Sequence, residues 1–304
     1  KIYEAEETLN IESRDLEEKS DLSNVFQYLE TFTENKERFI GVVTNNSKDL
    51  EVLTKYGNLI DIKWNEDLKW ARPYISENRR GARPRSFLDI IKLGDLVWLS
   101  KDNITKTISL TQIPEAQSAL ISIDQKSGSI LASVGGYDFF LSKFNRVEQA
   151  SPLLGSNFKP FLYAAAFSNG FTPSSLINDA PIIFEDEALE EKWRPRNASG
   201  KFYGPTRLRE GLLQSRNLVS VRLLRELGVD KVRSFAEKFG FDKQRLPADL
   251  SLSLGTASLN PLSNAVAYSV FANEGKKVEP YLISKILDRS GEVLFEKKIQ
   301  DPQQ

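Results

Sequence analysis

The pattern of apolar residues changes near residue 115, and this change predicts a chain of two parts. Before it, residues 38–115 contain short runs rich in β-branched and aromatic residues, bounded by turn formers, as in a small barrel. After it, a predicted β-hairpin spans 119–136, and helical runs follow. A hairpin followed by helices indicates an α/β or α+β domain. The predicted strands are 39–43, 59–64, 95–99 and 107–110, and the predicted helices are 156–168, 205–214, 218–227, 230–239 and 261–273.

The chain therefore divides into three segments: residues 1–37, residues 38–115 and residues 116–304. Residues 1–37 are interpreted as a linker, because acidic side chains are frequent in the first twenty positions and apolar periodicity is weak there. A solvated helix face fits this stretch about as well. The second segment is the β-rich domain, and the third is the mixed α/β domain.

Composition excludes several kinds of chemistry. The 304 residues include no histidine and no cysteine, so Ser-His-Asp and Cys-His catalysis and zinc sites built on these residues are excluded. We expect no cofactor and no metal. The net charge of −1 argues against nucleic-acid binding. The sequence contains no run of about 20 apolar residues, so it predicts no membrane helix. Because the chain starts at Lys1 without a methionine, we interpret it as a piece of a longer protein.

A serine and a lysine three positions apart, Ser156 and Lys159, begin the first predicted helix. Free N–H groups and the positive end of the helix dipole gather there. A serine hydroxyl is a poor nucleophile until a base takes its proton, and a neutral lysine can be that base. For half of the lysine to be neutral at pH 7, its pKa must fall by about 3 units, and burial acts in that direction. The spacing alone fits an N-cap serine and a solvated lysine at least as well.

A second polar pair, Ser215 and Asn217, falls between two predicted helices. Positions i and i+2 share a face only on an extended segment, so a break in the helix would point both side chains into one cleft. There a hydroxyl can relay a proton and an amide can hold a substrate amide. The pattern has little weight by itself, because Ser76 and Asn78 repeat it elsewhere.

Further segments place these two motifs in a wider context. They are 143–146, 155–163, 178–182, 193–197, 203–209, 215–217, 251–255 and 271–273. In combination they resemble the class A, bifunctional penicillin-binding proteins of Gram-negative bacteria, and most the 1A type. The resemblance runs from about residue 115 to 295. A looser one, over 70–74 and 94–98, is to the small accessory domain of the 1A type.

The resemblance implies a fold and a reaction. The fold is a partial transpeptidase domain of the penicillin-binding and β-lactamase-like type (α/β, α+β), preceded by an OB-like barrel. The reaction is serine-type D,D-transpeptidation, which cross-links peptidoglycan stem peptides and which β-lactams block by acylating Ser156. Ser156 would attack the bond between two D-alanines after Lys159 takes its proton. Ser215 would pass a proton to the leaving amine, and Asn217 would bind the substrate together with Ser156.

The family's third motif, Lys-Thr/Ser-Gly, is not found after Asn217. In the family it binds the substrate carboxylate, and an N–H after it completes the oxyanion hole. Residues 126–128 have this composition, but they precede the nucleophile and form the predicted hairpin turn, so we reject them. We therefore expect the chain to carry half of a transpeptidase site. It should acylate poorly alone, because the loss of one oxyanion-hole donor costs about 100- to 1000-fold.

The resemblance also implies a location and leaves two other functions open. The parent protein would lie at the periplasmic face of the bacterial inner membrane. Its N-terminal membrane anchor helix and its glycosyltransferase domain would both precede Lys1. As an alternative, the chain is a non-catalytic module whose 38–115 domain docks a periplasmic or outer-membrane lipoprotein activator. The basic stretch 79–85 suggests this, although a solvated loop explains it too. A serine β-lactamase would need a deacylating base, for which the sequence shows no candidate.

Overall fold

The chain forms two compact units, residues 1–117 and 118–304. The structure is a computed structural model that describes residues 23–32, 34, 37–182 and 193–298. The change in sequence pattern predicts this division between residues 115 and 116. None of the helices within these described ranges combines the length and the hydropathy that a membrane span requires.

The first unit is built on a five-stranded antiparallel sheet. Its strand order is β3 (Leu59–Ile62), β2 (Leu50–Thr54), β1 (Arg38–Asn45), β6 (Leu96–Lys101) and β7 (Ile108–Thr111). Cα atoms of the end strands β3 and β7 approach each other within 8 Å, as expected for a barrel that is nearly closed. Side chains such as Val43, Val52, Phe87 and Leu99 fill its interior. The elements of this unit are α1 (Ser23–Glu30), β1 (Arg38–Asn45), β2 (Leu50–Thr54), β3 (Leu59–Ile62), β4 (Tyr74–Ser76), β5 (Arg79–Arg80), β6 (Leu96–Lys101) and β7 (Ile108–Thr111).

Helix α1 corrects, for residues 23–30, the interpretation of residues 1–37 as a linker. Its side chains Val25 and Leu29 are buried against Ile40 and Val42 of β1, so residues 23–30 are part of the folded unit. The two apolar residues are four positions apart and therefore lie on one face of the helix. The helix is too short for this pattern to stand out beside the acidic residues before it. Those residues, 1–22, lie outside the described part of the chain.

The second unit contains the predicted hairpin and the predicted helices, which are confirmed with shifted ends. The helix predicted from residue 205 begins at Leu208, because Gly204–Arg207 pairs with another strand. The elements are β8 (Leu120–Ile123), β9 (Ile130–Val134), α2 (Lys159–Phe167), β10 (Leu176–Asp179), β11 (Gly204–Arg207), α3 (Leu208–Leu213), α4 (Asn217–Leu227), α5 (Val229–Glu237), α6 (Pro261–Ala272), β12 (Lys285–Leu287) and β13 (Val293–Glu296).

The core of this unit surrounds α2 and fixes its position. The ring of Phe161 is fully buried, and its centroid lies 4.8–5.3 Å from those of four other aromatic rings. Burying one such side chain stabilises the fold by roughly 1.5–3 kcal/mol. Because α2 follows directly from the turn that carries Ser156, this packing also holds the candidate nucleophile in place. The four rings belong to Phe239, Phe241, Tyr268 and Phe271.

Residues 126–128 form the turn between β8 and β9, as predicted. The Asp124 carboxylate accepts hydrogen bonds from the backbone N–H groups of Lys126 and Ser127 at 3.0 and 2.7 Å. Gly128 has φ +80°, and a Cβ there would lie 2.2 Å from the Glu279 carbonyl oxygen. Turn geometry and a close backbone approach therefore account for this tripeptide without a catalytic role.

Candidate active site

Two glycines set the position of Ser156. Gly155, with φ +55°, precedes it and donates a backbone hydrogen bond to the Gly255 carbonyl oxygen at 2.9 Å. A Cβ on Gly255 would lie 1.9 Å from the Gly155 carbonyl oxygen, so only glycine fits there. A short 3₁₀ turn, Gly155–Phe158, then leads into α2. The Ser156 side chain is left exposed, at the start of the turn.

The Lys159 side chain is buried, with 1% of its surface exposed. Its ammonium donates to the Ser215 carbonyl oxygen at 2.8 Å, to Ser215 Oγ at 3.0 Å and to Asn217 Oδ1 at 2.7 Å. These bonds use all three donors of the group, and every acceptor is neutral. Burial lowers the pKa of Lys159 from 10.5 to about 8, because it disfavours the charged form. The lysine is thus close to the pKa that a base near neutral pH needs.

Ser215 joins the lysine to the candidate nucleophile. Its Oγ donates to Ser156 Oγ at 3.0 Å and accepts from Lys159 Nζ. The helical conformation is interrupted between α3 and α4 at this residue, which has φ +51° although it is not a glycine. Such a conformation costs roughly 1–3 kcal/mol and often marks a functional position. The predicted break in the helix is confirmed, and it directs Ser215 and Asn217 toward the same ammonium group.

The structure brings all four predicted side chains together, with one difference from the predicted contact. The three-residue spacing predicts a direct contact of Lys159 with Ser156. Among the described residues, the bonds of Lys159 Nζ go to Ser215 and Asn217, and the contact with Ser156 runs through Ser215. A neutral lysine could therefore withdraw a proton from Ser156 by way of the Ser215 hydroxyl.

Comparison with known proteins assigns both units. Residues 119–304 match the model of the penicillin binding protein transpeptidase domain, and residues 6–116 match that of the penicillin-binding protein OB-like domain. The chain belongs to the penicillin-binding protein transpeptidase family. Its fold is accordingly a transpeptidase domain preceded by an OB-like domain, as the sequence resemblance implied.

The relatives of this chain include class A penicillin-binding proteins of the 1A type. It is 47% identical over 256 residues to penicillin-binding protein 1A of Pseudomonas aeruginosa, covering 84% of this chain and 31% of that protein. It is 44% identical over 233 residues to penicillin-binding protein 1A of Escherichia coli K12, covering 77% and 27%. The crystal structure of penicillin-binding protein 1A from Haemophilus influenzae matches with a TM-score of 0.76 and 33% identity, over 93% of this chain and 40% of that one. The chain thus spans about a third of the length of its curated relatives.

A further side chain, Asn197, contacts the start of α4, and a second, Asp179, contacts Asn197. The sequence motifs give neither residue a role. The Asn197 Oδ1 atom accepts from the backbone N–H groups of Asn217 and Leu218 at 2.9 and 3.3 Å. Its Nδ2 atom donates to the buried Asp179 carboxylate at 2.7 and 3.0 Å. Both residues fall within segments that carry the family resemblance, but no local pattern indicates that they meet α4.

Proposed function

We propose that Ser156 is the nucleophile of a D,D-transpeptidase, in the longer protein to which this chain belongs. The observation that carries the proposal is the chain of hydrogen bonds from the buried Lys159 through Ser215 to Ser156. It links an amine with a pKa of about 8 to an exposed hydroxyl. Membership in the penicillin-binding transpeptidase family supports the same reaction class.

The hydrogen-bond chain suggests how the first step proceeds. When Lys159 is neutral, its amine accepts the Ser215 proton while Ser215 accepts the Ser156 proton, which reverses the direction of both bonds. Ser156 Oγ then forms a bond with the carbonyl carbon between two D-alanines. The C–N bond breaks, and the leaving D-alanine amine takes a proton back through Ser215. An ester between Ser156 and the stem peptide results.

The second step transfers the acyl group. An amine from a neighbouring stem peptide attacks the ester carbonyl, and its proton returns to Ser156 Oγ as the C–O bond breaks. Asn217 would hold the substrate amide. Hydrogen bonds to Lys159 at 2.7 Å and to the Arg196 carbonyl at 2.9 Å orient its side chain, which supports this role. β-Lactams would form the same ester and remain bound. The protein would act at the periplasmic face of the bacterial inner membrane.

Labelling with a fluorescent penicillin tests the proposal. In the full-length protein, Ser156→Ala should abolish the label, and Ser215→Ala should slow acylation by about 100-fold or more, as the loss of proton transfer does elsewhere. Ser76→Ala is a matched control, since Ser76 belongs to the other S-x-N pattern and is exposed in β4. Unchanged labelling in Ser156→Ala would refute the assignment. The chain alone should label poorly.

A second role, docking of a partner protein, is favoured by the surface of the first unit. The side chains of Arg79 and Arg80 in β5 are exposed, as are those of Arg83 and Arg85 after it. We propose that this basic surface contacts an anionic face of a periplasmic or outer-membrane lipoprotein activator. Reversal of these four charges should abolish capture of the activator. Lys48→Glu with Lys63→Glu, both exposed in the same unit, is the control, and equal capture in all variants would refute the surface.

A further inference from the structure

The Asn197 side chain closes the N-terminus of α4 from a distance in the chain. Its Oδ1 atom accepts from the N–H groups of Asn217 and Leu218, the first two residues of that helix. N–H groups at this end of a helix have no partner within the helix. Arg216, at the N-cap position, makes no side-chain cap. The start of α4, and with it Asn217, is therefore held by Asn197.

Asp179 determines which end of the Asn197 amide faces the helix. The two ends of an amide have similar size but opposite hydrogen-bonding character. The Asp179 carboxylate is fully buried and accepts from Nδ2 at 2.7 and 3.0 Å, and the Lys201 carbonyl accepts from the same atom at 2.9 Å. A rotated amide would turn its oxygen toward these acceptors and its NH₂ toward the N–H groups of α4. Asp179 thus keeps the accepting oxygen directed at α4.

Local strand pairing fixes Asp179 in turn. It ends β10, where it pairs with Gly204 of β11, and its carbonyl oxygen accepts from the Tyr203 N–H at 3.1 Å. The residue before Asn197 also holds the side chain of Asn217, because the Arg196 carbonyl accepts from Asn217 Nδ2 at 2.9 Å. This contact leaves Asn217 Oδ1 facing Lys159 Nζ at 2.7 Å.

We propose that Asp179 and Asn197 are positioning residues that hold Asn217 and Ser215 against Lys159. Neither side chain contacts Lys159 or Ser156 through a hydrogen bond within the described part of the chain. They act through the backbone at the start of α4, which follows the strained Ser215 by two residues. The consequence for acylation rests on the proposed function, whereas the effect on the start of α4 does not.

Exchanging the amide and the carboxylate between the two residues tests the proposal. Asn197→Asp keeps an oxygen for the N–H groups of α4 but sets a second carboxylate against Asp179. The repulsion removes the buried hydrogen bonds between residue 197 and Asp179 and displaces the side chain of residue 197 from α4. Amide hydrogen exchange at Asn217 and Leu218 in the chain should therefore accelerate by about tenfold or more. Acylation of the full-length protein by a fluorescent penicillin should slow by a similar factor.

The pair Asp179→Asn with Asn197→Asp should recover part of both losses, because an amide at position 179 can donate to a carboxylate at position 197. Asn260→Asp is the matched control: Asn260 caps α6 through its own side-chain oxygen, which the substitution retains. Exchange and acylation unchanged in Asn197→Asp, or a double variant no better than Asn197→Asp, would overturn the proposal. If Ser156 is never labelled, the proposed function fails, and the exchange measurement still decides the positioning role.

Discussion

Burial of Lys159 should make the second unit more stable as the pH rises from about 8 to about 10.5. Burial lowers the pKa of this lysine to about 8 in the folded chain, whereas in the unfolded chain it returns to 10.5. Between these values the unfolded state binds a proton that the folded state has released. Stability therefore rises with pH across this window, and below about pH 8 the fold carries the full cost of the buried charge.

The size of this effect follows from the lowered pKa. At about 1.36 kcal/mol for each pKa unit, a fall from 10.5 to about 8 corresponds to about 3 kcal/mol. The side chain is 1% exposed, so solvent screening reduces this figure little. A typical domain has a free energy of unfolding of about 5–15 kcal/mol, and the effect is a measurable part of it.

The assay compares the chain with Lys159→Met across this pH range. Methionine is similar in length and carries no charge, so it removes the titration and leaves a constant offset for the lost hydrogen bonds. Denaturant unfolding can be followed through the methyl signals of Leu162, a buried residue of α2. The difference between the two free energies should rise by about 3 kcal/mol toward pH 10.5.

Tyr163 also affects stability at high pH, and the comparison of the two chains removes its effect. Burial raises the pKa of this tyrosine to about 12, so its contribution to stability is lost as the pH rises above 10, opposite in sign to that of Lys159. Both chains retain Tyr163, and its effect cancels in the difference. A difference that stays flat, or falls, from pH 7 to pH 10.5 would refute the reasoning about Lys159.

Two further predictions concern packing. Gly255→Ala should destabilise the second unit by about 2 to 3 kcal/mol more than Gly170→Ala, because the new Cβ meets the Gly155 carbonyl oxygen, whereas Gly170, also at positive φ, has open space around it. Equal melting curves would contradict the close approach. Leu29→Ala should cost the first unit about 2–5 kcal/mol by denaturant unfolding, against little for Leu59→Ala, which is 60% exposed. If Leu29→Ala leaves the free energy of unfolding unchanged, residues 23–30 do not stabilise the first unit and act as a linker.

The sequence predicted most elements of the fold because their patterns are local. The hairpin turn at 125–128 and the glycines after several helices are sequence signals of one to four residues. Strand β2 was missed, since four of its five residues are buried and its pattern does not alternate. Helix α1 was missed because two buried residues on eight positions make a weak signal. Its burial depends on β1, which a local pattern does not report.

The four candidate side chains that the structure brings together were named from the sequence, but most of their contacts were not. Ser156 and Lys159 share one helical turn, which the spacing indicates. The bridge through Ser215 depends on a positive φ at a residue that is not glycine, and no sequence signal predicts that. Asn197 reaches α4 across 20 positions of chain. Such a contact follows from tertiary packing, so single-sequence reasoning could not supply it.

The site separates the buried carboxylate from the buried amine. Asp179 orders the start of α4 through Asn197, while the hydrogen bonds of Lys159 all go to neutral oxygens. A carboxylate beside the lysine would stabilise its charged form and raise its pKa. The intervening amide therefore lets an acidic residue order the site while burial keeps the pKa of Lys159 near 8. Asn197→Asp brings a negative charge nearer and should raise that pKa, measured by NMR titration of the lysine ¹³Cε. An unchanged or lower pKa would contradict this account, with Asn260→Asp as the reference.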